Sequence, residues 1–165
     1  MPITKEALKN ATEDSQLLCS EETEFYRSFV GKINWLSTTT HAVLALPHSL
    51  LARFSNSPNK TALGMLKTTL RYCKHVMDKG IRSNPSSSEG LRVYTDANWA
   101  GFYSIDGSVY SRTGVFITYN ETPIQWVSSK QSAISGSSAN AEIYAISTGC
   151  GYGKNVAMQG EHINT

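Results

Sequence analysis

Asp96 and Glu142 are the residues whose type and setting point to chemistry. Asp96 closes a short apolar–polar alternation within V-Y-T-D-A-N-W-A-G-F, residues 93–102, and a small-residue turn follows it. Glu142 lies in S-S-A-N-A-E-I-Y-A, where a serine-rich loop leads into a helical pattern. A strand-borne Asp and a helix-borne Glu are suitable partners for a shared divalent metal ion. Phosphodiester hydrolysis by two metals needs several such carboxylates around ions roughly 3.5–4 Å apart. Each residue also has a plainer role: an Asp before Ala-Asn can cap its own turn, and a Glu in a first helical turn complements the helix dipole. Residue type leaves both roles open.

The elements that must position these two acids can be read from periodicity. Residues 1–21 show no sustained period and read as a linker or disordered start. From Glu22 to Leu36, the residues Phe25, Phe29, Ile33 and Leu36 share one helical stripe. Thr38, Thr39 and Thr40 are expected to break that helix, and Pro47 to kink the apolar stretch after it. Ser57-Pro58 reads as an N-cap and first helical residue, with Ala62, Leu66, Leu70, Cys73 and Met77 continuing the stripe up to Gly80. N-P-S-S-S-E-G, residues 84–90, marks the domain boundary. Beyond it the period becomes two. Strands are expected at 91–96, 113–119 and 123–128, with a short turn at Asn120-Glu121 and antiparallel pairing throughout the hairpins. A helix is expected from about Ala139, capped by Ser138. The division is therefore 1–21, a helical 22–82, a linker 83–90 and a sheet-bearing 91–165, an α+β chain.

Charge is unevenly spread. The net formal charge is +2 over 165 residues. Residues 1–24 carry two lysines against six acids, residues 25–82 carry nine Lys/Arg against Asp78 alone, and residues 83–165 carry four against six. Lys67, Arg71 and Lys74 fall at i, i+4 and i+7 and so share a helix face. Such a face tracks phosphates or simply stays solvated. Ser128, Ser129, Lys130 and Gln131 form a second candidate set for contact with a nucleic-acid backbone. Trp35, Trp99 and Trp126 could stack on bases or pack in hairpins. Cys19, Cys73 and Cys150 have no zinc or disulfide spacing, which makes a reducing, intracellular setting the default. No apolar run reaches the roughly 20 residues that span a bilayer, so no membrane partner is expected.

Taken in order, several segments resemble one family. F-Y-R-S-F-V-G-K-I-N-W-L-S resembles the late reverse-transcriptase helix of copia-class (yeast Ty-type) LTR retrotransposon Pol polyproteins, and L-L-A-R-F-S-N-S-P-N-K with L-K-T-T-L-R-Y-C-K resembles the next two helices. Y-T-D-A-N-W-A-G, S-R-T-G-V-F-I and I-Q-W-V-S-S-K-Q are similar to the first three ribonuclease H strands, and S-S-A-N-A-E-I-Y-A to the first catalytic helix. The resemblance implies a helical reverse-transcriptase thumb or connection segment, followed by an incomplete ribonuclease H-like mixed sheet with one partial helix. It places Asp96 and Glu142 at two metal-binding positions, with Mg²⁺ as the ancestral cofactor and RNA–DNA hybrid as substrate. It also implies intact Pol as a partner, and a cytoplasmic virus-like particle or the nucleus as location.

Departures from the family pattern carry their own expectations. Thr40 to His48 replaces the usual R-P-D start, Asn140 stands where the family has a first Glu, and the tail from Gly149 reads as ragged and polar, with Glu161 and His162 as remote metal candidates. The third and fourth carboxylates of the family have no counterpart. The expectation is a truncated copy whose two acids are vestigial, inactive as a nuclease. The alternative is a module that binds nucleic acid or interferes with intact Pol without catalysis.

Overall fold

The computed structural model describes residues 2–103 and 108–163. Two compact units divide it, one formed by residues 2–80 and the other by residues 81–102 with 109–163.

The first unit is helical. Residues 1–21, expected to be a linker, instead contain helix α1 (Lys5–Glu13), which packs on helix α4 (Lys60–Val76) through buried Leu8 and Ala11. The missed signal is short: Thr4 accepts the Ala7 N–H at 3.1 Å as an N-cap, and only two apolar side chains of the helix face inward. Helix α2 (Ser20–Thr39) also departs from the expected stripe. Its buried residues are Tyr26, Val30, Ile33 and Ser37, while Phe25 is 43% exposed. Tyr26 is preferred inside because its hydroxyl donates to the Leu51 carbonyl at 2.8 Å, which satisfies the one polar atom on a large apolar ring. α2 ends within the threonine run, as expected, at Thr39 with Thr40 as its C-cap, and Thr38 and Thr39 donate their hydroxyls back to the carbonyls of Asn34 and Trp35, at 3.0 and 2.7 Å. A 3-10 turn at Ala42–Leu44 leads into α3 (Ala45–Ala52). Pro47 sits in the first turn of α3, where its missing N–H has no helical partner to lose, so it does not kink the helix.

Asn59, rather than Ser57, caps α4. Its Oδ1 accepts the Ala62 N–H at 2.8 Å, and its Nδ2 donates to the carbonyls of Ala11 (2.6 Å) and Asp14 (3.0 Å) at the end of α1. One buried amide thereby joins two helix termini. Asp14 adds a second tie, accepting the N–H groups of Gln16 and Thr61, and these bonds hold its carboxyl below the usual range.

The second unit is a three-stranded antiparallel sheet, order β1-β2-β3, with one helix. β1 spans Leu91–Tyr103, β2 Val109–Tyr119 and β3 Thr122–Lys130. The three strands pair antiparallel, as their short connections predict; the mixed sheet that the resemblance implies is not present among the described residues. Asn120 and Glu121 both take positive φ (48° and 61°), the two-residue turn geometry that matches the strand twist of a hairpin. Helix α5 runs from Ser138 to Ile163, so the tail that read as ragged continues the helix. Its glycines are the local obstacle to a helix. Propensity penalises each by about 1 kcal/mol, yet packing holds Gly149 and Gly153 in the buried face.

Replacing Asn59 by Ala should strand the Ala11 and Asp14 carbonyls and the Ala62 N–H together. The expected loss is roughly 2–4 kcal/mol, the cost of buried polar groups left unpaired, read from urea denaturation of the full chain. A loss below about 0.5 kcal/mol would show that water replaces the amide without penalty.

Candidate functional site

The phase of β1 determines where Asp96 goes. Val93 and Thr95 face α5. A β-carbon built on Gly149 would lie 2.3 Å from Thr95 Cγ2, and one on Gly153 would lie 2.8 Å from Val93 Cγ2. Trp99 has the same parity and donates its Nε1–H to the Ser135 carbonyl at 2.9 Å, in the loop before α5. Tyr94 has the other parity, and its ring centroid lies 6.4 Å from that of Phe116. Asp96 follows Tyr94 by two residues, so its side chain leaves β1 on the face turned away from α5, where it is exposed. Gly114 stands across from it on β2, its β-carbon position 3.7 Å from the Asp96 carbonyl oxygen.

Glu142 sits in the first turns of α5, beside a stripe in which Ala141 and Ala145 are fully buried. It is half-buried. Gln131 anchors this end of the helix. Its Nε2 donates to Thr113 Oγ1 at 3.0 Å and to the Ala141 carbonyl at 2.9 Å, and its Oε1 accepts from Ser135 at 2.8 Å. Gln131 is consequently buried and spent on structure, a correction to its reading as a nucleic-acid contact. Asn140, at the family's first Glu position, is exposed.

The helix that carries Glu142 therefore covers one face of β1 and the Asp96 side chain occupies the other. The outer edge of β1 has no neighbouring strand among the described residues. No group of three His, Cys, Asp or Glu side chains among the described residues gathers there to hold a metal ion. The side chains of Glu161 and His162 lie outside the described residues. A magnesium pair needs carboxylates that converge on both ions, with water and phosphate oxygens completing each octahedron, and Asp96 and Glu142 alone do not fit that requirement.

The cationic candidates are placed differently. Lys67, Arg71 and Lys74 are exposed along α4, on the face away from Leu63, Leu66, Thr69 and Cys73. None of the three forms an ion pair among the described residues, whereas Lys60 on the same helix is held by Glu22 at 2.7 Å. Lys130 ends β3, opposite Arg112, with its Nζ 4.7 Å above the Tyr110 ring. Of the tryptophans, Trp35 is 65% exposed on α2, Trp99 is tied to Ser135, and Trp126 pairs with Phe116 across β2 and β3. Reading the sequence missed the row Tyr94–Phe116–Trp126. Alternation placed Tyr94 beside Asp96, but only the strand register brings the three rings together.

An α+β chain with an acid-bearing first strand, a hairpin and a closing helix is compatible with a partial ribonuclease H-like fold. Comparison with known proteins gives the lineage. No protein-family model matches the chain, and no solved structure does. The chain is 32% identical over 122 residues to the retrovirus-related Pol polyproteins from transposons RE1 and RE2 of Arabidopsis thaliana, matches that cover 73% of this chain and 8% of each polyprotein. It is likewise 32% identical over 122 residues to secreted RxLR effector protein 161 of Plasmopara viticola, covering 74% of this chain and 84% of that one. This chain belongs to the copia-type retrotransposon Pol family, and it spans about 8% of the length of the Pol polyproteins it matches. Among the described residues no helix is long and apolar enough to cross a membrane.

Gly149 and Gly151 give opposed expectations. Gly149→Val drives a branched side chain into Thr95 and should cost roughly 1–3 kcal/mol in urea denaturation. Gly151 faces open space, so Gly151→Ala should gain roughly 0.5–1 kcal/mol of helix stability. Equal effects at the two positions would show that α5 does not rest on β1 through Gly149.

Proposed function

We propose that this chain grips nucleic acid through its basic helix and does not itself cut it. On this reading it corresponds to the stretch of Pol where the helical end of reverse transcriptase passes into ribonuclease H. The ancestral task there is magnesium-dependent cutting of the RNA strand of an RNA–DNA hybrid. Asp96 and Glu142 are then the remains of the acid set. The observation that carries the non-catalytic reading is the parity of β1, which turns Asp96 away from the helix bearing Glu142. Two-metal hydrolysis needs carboxylates that converge on a closely spaced ion pair, and the helix bearing Glu142 covers the face of β1 opposite the Asp96 side chain.

The binding half of the proposal rests on α4. Three cations at one-turn spacing, exposed and without acidic partners among the described residues, present a line of charge along about 10 Å of helix. Phosphates of a duplex meet such a line without base contacts, and the affinity then comes from released counterions.

Two measurements test this. Purified chain with Mg²⁺ and a labelled RNA–DNA hybrid should give cleavage no greater than Asp96→Asn does. Robust cleavage that is lost in Asp96→Asn or Glu142→Gln would overturn the non-catalytic reading. Binding to the same hybrid should weaken steeply with added salt. Reversing Lys67, Arg71 and Lys74 to Glu should weaken binding and flatten the log–log salt slope by about 0.9 for each phosphate that is no longer neutralised. An unchanged slope removes α4 from the interface.

A further inference from the structure

The outer side of β1 is an open sheet edge, and the strand register fixes which backbone groups it presents. The Gly90 carbonyl accepts the Asn120 N–H at 3.0 Å, and the Asp96 carbonyl lies against Gly114, so the even-numbered residues of β1 turn their peptide groups toward β2. By the alternation of an antiparallel ladder, Leu91, Val93, Thr95 and Ala97 turn theirs outward. No strand stands there among the described residues. Sheet edges are commonly blunted by lysine, proline or a bulge. From Leu91 to Trp99 there is neither lysine nor proline, and the first positive φ within β1 comes at Ala100, 47°.

The charges along this edge complement themselves. Arg92 and Asp96 share one face of β1, two residues to either side of Tyr94. A second β1 laid antiparallel about a two-fold axis at Tyr94 sets Arg92 opposite the other copy's Asp96, and Asp96 opposite its Arg92. Asp96 forms no ion pair among the described residues, and Arg92 holds Glu89 through Nη1 at 3.0 Å, which leaves guanidinium donors for a second carboxylate. The same axis pairs Val93 with Thr95 and Leu91 with Ala97 through their outward peptide groups, while the half-exposed Tyr94 rings meet as a non-hydrogen-bonded pair. A register shift of two residues would set both charges opposite Gly90, Tyr94 or Asn98, so charge selects this register.

Helix α5 supplies a second, independent match. Gly149 rests on Thr95 and Gly153 on Val93, so α5 runs antiparallel to β1 and residues 150–152 are level with Tyr94. Ala145, about 40° round the helix from Gly149, is fully buried where α5 packs on β2. Turning the other way, past Gly153, brings Ile146, Cys150 and Ile143 at about 60°, 100° and 120° from Gly149. All three are exposed, the isoleucines by 52% and 63%. No charge interrupts α5 between Glu142 and Lys154. The two-fold at Tyr94 puts both α5 helices on one face of the extended sheet, with these apolar flanks opposed and Cys150 beside the axis. We infer that the chain pairs with a second copy of itself along β1, forming one continuous antiparallel sheet covered by two α5 helices. The contact is isologous, each copy giving and receiving the same pairs. Residues 91–97 and the Ile143–Cys150 flank are fewer than the roughly 20–30 residues a side of a standard interface, so the pair dissociates on dilution. The inference stands without the nucleic-acid reading of α4, since its residues all belong to the sheet unit.

The test uses the full chain, with mass read by analytical ultracentrifugation across a concentration series and the fold monitored by circular dichroism. The 18.1 kDa monomer should convert to twice that mass as concentration rises. Arg92→Asp and Asp96→Arg each set like charges across the axis and should weaken pairing about tenfold. Both substitutions in one chain restore opposite charges and should recover the dimer, and mixing the two single variants should give a heterodimer. Amide exchange at Val93, Thr95 and Ala97 should slow as concentration rises, while that at Tyr94 and Asp96 should not change. Mild oxidation with diamide should join Cys150 to Cys150 in the Cys19→Ser chain, and Cys150→Ser should abolish the link without loss of the dimer. A single 18.1 kDa species at millimolar concentration would overturn the inference. So would a dimer that is indifferent to Arg92→Asp in a folded chain, that the double substitution fails to restore, or in which Cys150 does not cross-link.

Discussion

The close approach of α5 to β1 is the constraint on which the sheet unit depends. Gly149 and Gly153 remove the two side chains that would hold the helix off the strand, so its backbone rests directly on Val93 and Thr95. A strand alternates its side chains between faces. Turning the odd-numbered set toward the helix, with Val93 still 37% exposed, therefore assigns the even-numbered set to the other side. Tyr94 and Asp96 go there together, with Phe116 beside them. The covered face contains the buried residues Val115, Ile117, Ala141 and Ala145, and the open face contains the residues with exposed rings and charge.

The helical unit is organised by a different kind of interaction. Its packing is apolar, through Tyr26, Ile33, Leu50, Leu51 and Leu66. Its register depends on a buried amide. Asn59 satisfies one end of α4 and the end of α1 at once, and the Asp14 carboxylate repeats the link from the other side. Non-directional burial would allow these helices to slide against one another. Hydrogen bonds with fixed geometry forbid it, and an unpaired buried carbonyl is the penalty for slipping.

Membership in the copia-type Pol family and the geometry of the acids bear on different questions. The family relationship explains why a strand-borne Asp, a hairpin and a helix-borne Glu occur in this order. The geometry sets the Asp96 side chain on the face of β1 turned away from the helix that bears Glu142.

Much of this was legible in the residues themselves. The change from helical to alternating period near residue 90, the three strands, the Asn120-Glu121 turn and the helix beginning near Ser138 all follow from local patterns, because periodicity and turn chemistry are properties of neighbouring residues. The basic face at Lys67, Arg71 and Lys74 was legible for the same reason. Other features needed the fold. The helix in residues 5–13 exists because α4 receives it, and Tyr26 outranks Phe25 in the core because Leu51 offers an acceptor. Gln131 is buried because Thr113 and Ala141 surround it. The glycine-bearing tail stays helical because β1 lies beneath Gly149 and Gly153. The sequence determined which residues could take part in each element and the order in which they come. Tertiary structure decided which face of β1 was covered, and with it whether Asp96 and Glu142 could meet, because that depends on contacts between residues far apart in the chain.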